Sequence, residues 1–463
     1  MELINQPSPN LFERFNTWIQ ESIMIKLISI GFLVLILLIP SAWIQSLIEE
    51  RQQRANEAVQ EIATKWSRSQ TISGPVLVIP YRKQEVIDRG NDGKEIHERI
   101  EKAFFLPELL DVGGIVNPEI LHRGIFEAVV YDATLQVKST FQQPDFKSLN
   151  IPDNMVLWSD AYMVFGITDL RGINENPVFT VGDSTYETSP TSSLGIESFN
   201  ISNDGSMTPS REGIMAKLGW VNKDSFKGSV VIKIELKGSN RLDFIPGGKT
   251  TTVKLSGPWN DPSFDGEFLP DSREITESGF NASWKVLHFN RPFPQQWADG
   301  EQQLSGANFG VKLLIPVDQY QKSTRTSKYG ALVILLTFIA LFLVEIIQKI
   351  RIHPFQYILI GAALIIYYTL LLSFSEHFGY NTSYIVSSIA TVTLVSLYST
   401  TFLRTMKLTI LFTLLLVVFY SFIFVIILQQ DFSLLLGSIG LFLIVGLLMY
   451  FSRKIKWYKE ATT

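Results

Sequence analysis

The chain has 463 residues, of which 46% are hydrophobic, and a net charge of −4 at pH 7. The long apolar runs lie almost entirely within 1–46 and 329–463, which excludes a wholly soluble protein. Frequent aromatic residues exclude a wholly disordered chain, and the charge argues against nucleic-acid binding by bulk electrostatics. Because the chain has no cysteine, it can form no disulfide, thiolate metal site or cysteine nucleophile.

The first apolar run is Leu27–Ile44, which contains no charge and is long enough to cross a bilayer. No small-x-small cleavage site follows it, so we interpret it as an uncleaved anchor, with Pro40 placed where it could kink the helix. Apolar residues at helical spacing before the run predict an amphipathic helix on the inner membrane surface. A similar stripe from Ile48 to Trp66 predicts a helical stalk after the anchor.

Five further apolar runs lie near the other end of the chain. Their short connections predict antiparallel neighbours in a helical bundle. The runs are approximately Tyr329–Ile347, Gln356–Phe374, Tyr384–Leu403, Leu408–Leu428 and Phe432–Phe451.

The basic residues of the short connections predict the orientation of these helices. Lysine and arginine occur on one side only, at 349–351, 404–407 and 453–459, whereas the opposite connections at 375–383 and 429–431 contain none. The positive-inside rule then places both termini in the cytoplasm, with residues 47–328 outside. The residues beside the first anchor give a less clear signal, since Arg51 and Arg54 follow it.

The polar middle of the chain has mostly the pattern of β-strands. Val231–Lys237 alternates apolar and polar residues from Ile232 onward, and Val129–Val137 is similar. Many short strands separated by Gly/Pro turns favour a sandwich-like or open-barrel β domain. The Ser/Thr-rich stretch Gly182–Gly213 is interpreted as a long surface loop. Further strands are predicted at Pro75–Pro80, Trp158–Ile167, Thr251–Leu255, Ala282–Phe289 and Phe309–Leu314.

Motifs with known chemistry are weak in this domain. Gly247–Thr250 resembles the end of a phosphate-binding loop, but Asp243 stands where that pattern needs glycine, so a hairpin turn is the better interpretation. His97–Glu98 could begin a zincin motif, but Glu101 replaces the second histidine. The chain also contains no G-x-S-x-G motif. We therefore predict no catalytic, cofactor-binding or metal residues, no cofactor and no enzymatic activity.

The predicted membrane segments contain several ionisable residues. Glu345 lies inside a crossing, and such residues are functional candidates by default, although a Glu345–Lys349 pair at the helix end is the simpler interpretation. Glu376 and His377 lie in an outer connection, where the histidine could titrate near neutral pH or simply contact solvent and headgroups.

The fourth crossing is rich in hydroxyl groups. Small hydroxylic residues commonly serve helix packing, and the lining of a polar cavity is the alternative. These residues are Ser387, Ser388, Thr391, Thr393, Ser396, Ser399, Thr400 and Thr401.

Over nearly its whole length the sequence resembles the CreD family of bacterial inner-membrane proteins. The resemblance rests on many motifs in the same order, which makes it specific. They include Ser73-Gly74-Pro75, Leu106-Pro107-Glu108, Arg123–Ala128, Asp169–Ile173, Pro246-Gly247-Gly248, Pro262–Pro270, Arg273–Phe280 with Trp284, Val317–Gln321, Lys328-Tyr329, His353-Pro354 and Ser375-Glu376-His377.

The resemblance implies a location in the inner membrane and a role in cell envelope integrity under a two-component response, without implying catalytic residues. The motifs cluster at Pro246–Trp284 and Val317–Tyr329. They either maintain the β fold and its attachment to the bundle, or form a surface that contacts lipid, peptidoglycan or another envelope protein. The charged candidates there are Arg273, Glu277, Asp318 and Arg325.

The expected fold is a mixed membrane protein with six transmembrane helices and a large β-rich extracytoplasmic domain. The expected parts are a cytoplasmic segment 1–26, an anchor 27–46, an external domain 47–328, a bundle 329–452 and a basic tail 453–463.

Three functions remain open at this point. The first is a non-enzymatic module whose external domain binds an envelope component or partner. The second is a transporter or flippase that uses Glu345, Glu376 and His377. The third is an envelope-modifying hydrolase. The bilayer is the expected partner in each case, and the sequence sets no oligomeric state.

Overall fold

The computed structural model describes residues 23–88, 94–192, 196–201, 207–300, 302–304, 306–313, 319–403, 405–429 and 432–453. By its internal contacts the chain divides into two compact units. We call Met1–Ala55 with Val317–Thr463 the membrane unit, and Asn56–Pro316 the β unit.

The described part of the membrane unit is helical. Its helices are α1 (Ile23–Trp66, whose last turns belong to the β unit), α2 (Gln319–Lys328), α3 (Gly330–Gln348), α4 (Pro354–Phe378), α5 (Tyr380–Ser399), α6 (Met406–Leu428) and α7 (Ser433–Ser452).

The helices match the apolar runs of the sequence. Five helical stretches are long and apolar enough to cross a membrane: Met24–Trp66, Gln319–Gln348, Pro354–Phe378, Tyr380–Ser399 and Met406–Leu428. A further apolar helix, α7, has 20 residues. The prediction of one N-terminal and five C-terminal apolar helices is therefore confirmed. α1 continues through Pro40 without interruption, although proline removes one backbone donor.

The first helix packs within the bundle of the later ones. A Cβ atom added at Gly361 of α4 would lie 2.3 Å from Leu37 Cδ1 of α1, so any larger residue there would require the Leu37 side chain to move. Phe338, Ile360 and Leu364 are fully buried beside this contact. Gly379 separates α4 from α5 with a φ of 73°, and this conformation lets the chain reverse in a single residue.

The described part of the β unit contains 20 strands. They are β1 (Gln70–Asp88), β2 (Lys94–Phe105), β3 (Leu109–Arg123), β4 (Phe126–Thr140), β5 (Tyr162–Ile167), β6 (Val178–Val181), β7 (Ser184–Tyr186), β8 (Ser189–Thr191), β9 (Ile196–Ile201), β10 (Met207–Ser210), β11 (Gly213–Lys217), β12 (Ser229–Ser239), β13 (Arg241–Phe244), β14 (Thr250–Gly257), β15 (Pro262–Gly266), β16 (Ser272–Thr276), β17 (Gly279–Leu287), β18 (Gln296–Ala298), β19 (Gln302–Gln303) and β20 (Phe309–Leu313).

These strands form two large sheets and one small one. The first sheet has the order β15-β20-β13-β1-β5-β11-β8, with β2 paired to β1 and β18 to β2. The second has the order β16-β17-β14-β3-β4-β12-β6-β7, and β10-β9-β19 form the small sheet. Most pairs are antiparallel; β1 with β13, β14 with β3 and β19 with β9 are parallel.

The main core lies between the two large sheets. The first sheet contributes Leu77 and Phe165, and the second contributes Val137 and Ile232, all fully buried. This arrangement is a β-sandwich. The other face of the first sheet is also covered, by a second core around Val76 and other buried residues. β1 is therefore buried on both faces, which explains why its centre is continuously apolar and does not alternate.

Most predicted strands are present, and two predictions need correction. β12 and β4 show the alternating burial that the sequence indicated. Residues Trp158–Asp160 form a 3₁₀ turn before β5, where a strand was predicted. The stretch Gly182–Gly213 contains short strands where one long loop was predicted. Their polar Ser/Thr-rich sequence hid them, because it offers no apolar alternation to detect.

Several predicted features lie outside the described residues. They are the amphipathic segment before Ile23, Asp318, and the basic tail beyond Arg453.

Candidate functional site

Glu345 lies beside a cavity of about 550 Å³, which we call the Glu345 cavity. Lys26 and Ser29 of α1 line one wall, and Glu345 of α3 and Tyr357 of α4 line the other. Arg351 belongs to the same lining, in the turn between α3 and α4. The cavity thus combines one carboxylate with two cations among apolar helix surfaces, which is an unusual set of charges for a membrane helix bundle.

The carboxylate of Glu345 is buried and has three partners. Its side chain is 3% exposed, and Oε1 accepts a hydrogen bond from Lys26 Nζ at 2.6 Å. Oε1 also accepts from the backbone N–H of Ile352 at 3.2 Å, and Oε2 accepts from the Tyr357 hydroxyl at 3.1 Å. A buried charge is tolerated when it is paired and hydrogen-bonded in this way.

The predicted Glu345–Lys349 pair is wrong. Lys349 adopts a left-handed conformation, with a φ of 50°, and ends α3 there. The helical spacing that would bring the two side chains together is therefore lost, and the ion-pair partner of Glu345 is Lys26. Because 319 residues separate Lys26 from Glu345, no local pattern could have indicated this pair.

Glu376 and His377 lie at the opposite end of α4. Glu376 Oε1 accepts a hydrogen bond from the Tyr320 hydroxyl at 3.1 Å, and Arg51 Nε lies 4.0 Å from the same oxygen. His377 is exposed. Glu376 follows Pro354 by 22 residues, which corresponds to about 33 Å along the helix. The structure therefore does not bring Glu345, Glu376 and His377 into one site.

The structure describes only one of the two charged candidates just before the bundle, Arg325 and Asp318. Arg325 is half-buried in α2, within the membrane unit. Asp318 lies outside the described residues.

Arg273 lines an open groove of about 510 Å³ at the β16 edge of the second sheet, which we call the Arg273 groove. Small residues such as Gly113, Ser256 and Ala282 line much of it, Lys254 adds a second cation, and Glu274 adds a carboxylate. Arg273 lies on β16, the end strand of the described sheet, and all five residues of β16 are exposed. Glu277 is exposed in the turn that connects β16 to β17, and it is not among the groove residues.

Two ionic clusters of the β unit were not singled out from the sequence. Arg241 and Asp243 are buried on β13 and pair at 3.0 Å, and Arg241 also donates to Asp265 of β15 at 2.8 Å. Arg241 thus connects two strands of the first sheet that β20 separates. Because these contacts join strands of one sheet, we assign the Arg241 cluster a structural role.

The second cluster is centred on Asp169, which is 5% exposed. Arg171 Nη2 and Nε donate to its two oxygens at 2.6 and 2.9 Å, and the backbone N–H of Arg68 donates at 3.1 Å. Burial opposes ionisation, but the hydrogen bonds from Arg171 and Arg68 outweigh it and hold the pKa of Asp169 below its ordinary value. Arg171 also donates to the carbonyl of Thr64 near the end of α1, so it fixes this helix end to the β unit.

The described residues contain no group of three or more His, Asp or Glu side chains placed to hold a metal ion.

Comparison with known proteins identifies the family. The family described as "Inner membrane protein CreD" matches residues 22–458, which is nearly the whole chain. The chain belongs to the CreD family. The Inner membrane protein CreD of Escherichia coli strain K12 is 30% identical to it over 435 residues, which are 94% of this chain and 93% of the relative. The helices described above are therefore those of an inner-membrane protein, and they contact the lipid bilayer.

A likeness to a solved structure is much weaker. A crystal structure of an M1 zinc metallopeptidase from Deinococcus radiodurans, bound to a Tyr-Ser-Ala substrate, gives a TM-score of 0.19 at 7% identity. It covers 49% of this chain and 54% of that chain. A TM-score this low supports no inference about this CreD-family protein.

Proposed function

We propose that this CreD-family protein supports cell envelope integrity by holding an envelope component on its β unit, and that it is not an enzyme. In this proposal both termini are cytoplasmic and residues 47–328 face outward, as the distribution of lysine and arginine predicts. The Arg273 groove, with the exposed strand β16 beside it, is the observation that carries the proposal.

The shape of the groove suits an extended ligand. A Cβ atom added at Gly113 would meet nothing within 4 Å, so the floor of the groove is open at that point. Lys254 and Arg273 supply two positive charges and Glu274 supplies one negative charge, so the groove has a net charge of +1 and can bind carboxylate or phosphate groups. β16 pairs with β17 alone among the described strands, so its other edge can accept an extended polypeptide. We therefore expect an anionic envelope polymer or an acidic segment of a partner protein.

The test is rescue of a bacterial strain that lacks its CreD-family protein, scored by entry of a dye under detergent stress. Arg273→Glu combined with Lys254→Glu reverses both positive charges of the groove and should abolish rescue. Glu277→Gln is the matched control, because it changes a charge of the same hairpin without changing the groove; this variant should rescue fully. Immunoblots of membranes must show equal amounts of each variant.

A further variant distinguishes the contribution of the β unit to rescue from that of the helix bundle. Residues 1–328 keep α1 and the β unit but lack helices α3 to α7. Rescue by this variant would support binding by the β unit as the activity. Full rescue by the double charge reversal would contradict the role of the groove.

The second candidate is transport through the helix bundle, and the Lys26–Glu345 pair in the Glu345 cavity is the observation that favours it. A buried carboxylate beside a cavity is a common feature of proton and substrate pathways. Glu345→Gln should then abolish rescue while the protein remains folded in the membrane. The distance of about 33 Å along α4 between the turn at Pro354 and Glu376 means that any route must use other groups between them.

A further inference from the structure

The Glu345 cavity carries more positive than negative charge. Its described lining contains two cations, Lys26 and Arg351, and one carboxylate, Glu345, which leaves a net charge of +1. His353 belongs to the same lining, and its protonation would add to the positive charge. A ligand that complements this cavity is therefore an anion.

The pairing with Glu345 leaves hydrogen-bond donors of both cations available. Glu345 Oε1 accepts one hydrogen bond from Lys26 Nζ at 2.6 Å, and an ammonium group has three N–H donors. The Lys26 side chain is 31% exposed, so its other two donors can reach a ligand, whereas Glu345 is 3% exposed. Arg351 is exposed, and among the described lining residues the only salt bridge is the one between Lys26 and Glu345. The ligand therefore meets the two cations before the carboxylate.

The charged groups of the cavity lie at the level of lipid headgroups. Arg351 lies in the connection between α3 and α4, outside both helices. Glu345 and Tyr357 each lie three residues from the facing ends of these helices, which corresponds to about 5 Å along each axis. Lys26 directly precedes Leu27, where the apolar run of α1 begins. At such positions a membrane helix passes from the hydrocarbon to the headgroup region.

The wall that α1 contributes continues from this level into the bilayer. Four residues of α1 line the cavity on one face of the helix, because they are three, four and seven residues apart: Lys26, Ser29, Ile30 and Leu33. Leu33 lies about 10 Å deeper than Lys26. Ser29 and Leu33 are half-buried, so a chain that follows this face can contact both. The cavity thus has cations at one end and a largely apolar path at the other.

We infer that the Glu345 cavity binds an anionic phospholipid from the leaflet at the α3–α4 connection. Lys26 and Arg351 donate hydrogen bonds to its phosphate, and an acyl chain follows the face of α1 as far as Leu33. A soluble anion would leave the apolar path uncovered. A zwitterionic lipid would bring an ammonium group against two cations. The inference goes beyond both candidate functions, because it concerns lipid retention by purified protein and does not depend on rescue.

The test compares two phospholipids with the same acyl chains. Full-length protein is reconstituted with equal amounts of phosphatidylglycerol, which has a net negative charge, and phosphatidylethanolamine, which has none. The protein is transferred to mild detergent, and retained lipid is measured by native mass spectrometry. We expect wild-type protein to retain phosphatidylglycerol about three- to tenfold better, as one additional favourable charge interaction allows.

Three variants connect this preference to the cavity. Arg351→Gln removes the cation that Glu345 does not pair with, so it should abolish the preference. Lys349→Gln is the matched control, because Lys349 is an exposed cation beside the same connection but outside the lining, and this variant should keep the preference. Ser29→Leu fills the apolar path without changing the charge, so it should lower the retention of phosphatidylglycerol.

A separate arm distinguishes a lipid from a soluble anion. Inorganic phosphate is added in excess to the protein that has retained phosphatidylglycerol. Because inorganic phosphate cannot cover the face of α1 between Ser29 and Leu33, we expect the amount of retained lipid to stay unchanged.

Four results would overturn the inference. They are equal retention of the two lipids by wild-type protein, unchanged retention of phosphatidylglycerol in both Arg351→Gln and Ser29→Leu, an equal loss of preference in Lys349→Gln and Arg351→Gln, and displacement of the lipid by inorganic phosphate.

Discussion

Asp169 and Arg171 form the joint at which the end of α1 is fixed to the β unit. Arg171 uses one side chain for two tasks, because it neutralises the buried Asp169 carboxylate and donates to the Thr64 carbonyl. Carbonyl groups in the last turn of a helix have no partner within the helix, so this contact completes α1. The two residues belong to the Asp169–Ile173 motif of the family resemblance, which the structure explains as a structural joint.

The joint predicts a specific dependence of stability on pH. Because the pKa of Asp169 is lower in the folded protein than its ordinary value of 3.8, its contribution is complete above about pH 5. The contribution is lost as the pH falls through 4 toward the folded pKa. Asp169→Asn should therefore flatten the fall in stability between pH 5 and pH 3, as measured by denaturant unfolding of the detergent-solubilised protein.

Asp160→Asn is the control for this measurement, because Asp160 is an exposed aspartate of the same unit. This variant should keep the wild-type slope between pH 5 and pH 3. If both variants had the same slope as wild type, Asp169 would not be the group that links the joint to pH.

At the residue scale, the sequence could nominate unusual residues as candidates, but it could not identify their partners. Glu345 could be selected because a carboxylate within an apolar run is rare. Lys26 and Tyr357, which hold it, lie on other helices and have no pattern of their own. Likewise, the hydroxyl groups of the fourth crossing were visible, but only the structure distinguishes those that line a cavity, such as Ser388, from those bonded within their own helix. Ser399, for example, donates to the Val395 carbonyl at 2.7 Å.

The end of helix α3 offers a position at which one substitution should raise the stability of the protein. Lys349 occupies the left-handed position that ends a helix, which glycine adopts without steric cost. Lys349→Gly should therefore stabilise the protein by about 0.5–1 kcal/mol. The measurement is the midpoint of thermal unfolding in detergent, followed by circular dichroism.

Lys349→Ala separates backbone strain from charge in this test. It removes the charge and leaves a Cβ atom at the positive φ, so it should give no gain in stability. An equal gain from both variants would mean that removal of the charge, and not relief of the backbone, was responsible.

Helices and strands with a regular apolar pattern could be predicted from the sequence. Strands that form only because other strands pair with them could not. The helices of the bundle are long and apolar, so hydropathy alone located them. β12 and β4 alternate, so they were located too. β7 to β10 are short and polar and exist as strands because other strands pair with them, which a linear sequence does not show.

At the scale of the whole molecule, the orientation in the membrane is the prediction to test first. The chain has no cysteine, so single cysteines can be introduced without background. His377→Cys places an exposed thiol in the last turn of α4, and Arg351→Cys places one in the α3–α4 connection. A membrane-impermeant maleimide should label the first in intact spheroplasts and the second only after permeabilisation.

The unchanged cysteine-free protein controls for nonspecific labelling. Labelling of Arg351→Cys but not His377→Cys in intact spheroplasts would reverse the proposed orientation. It would also place the β unit on the cytoplasmic side.

The distance in sequence between Lys26 and Glu345 determines how early during synthesis their ion pair can form. The ribosome must add 319 residues after Lys26 before its partner exists. At about 5–20 residues per second this takes roughly 15–60 s. During that time α1 is in the membrane without the bundle, and the β unit emerges and can fold first. Packing of the later helices around α1 is therefore a late step in the biosynthesis of this protein.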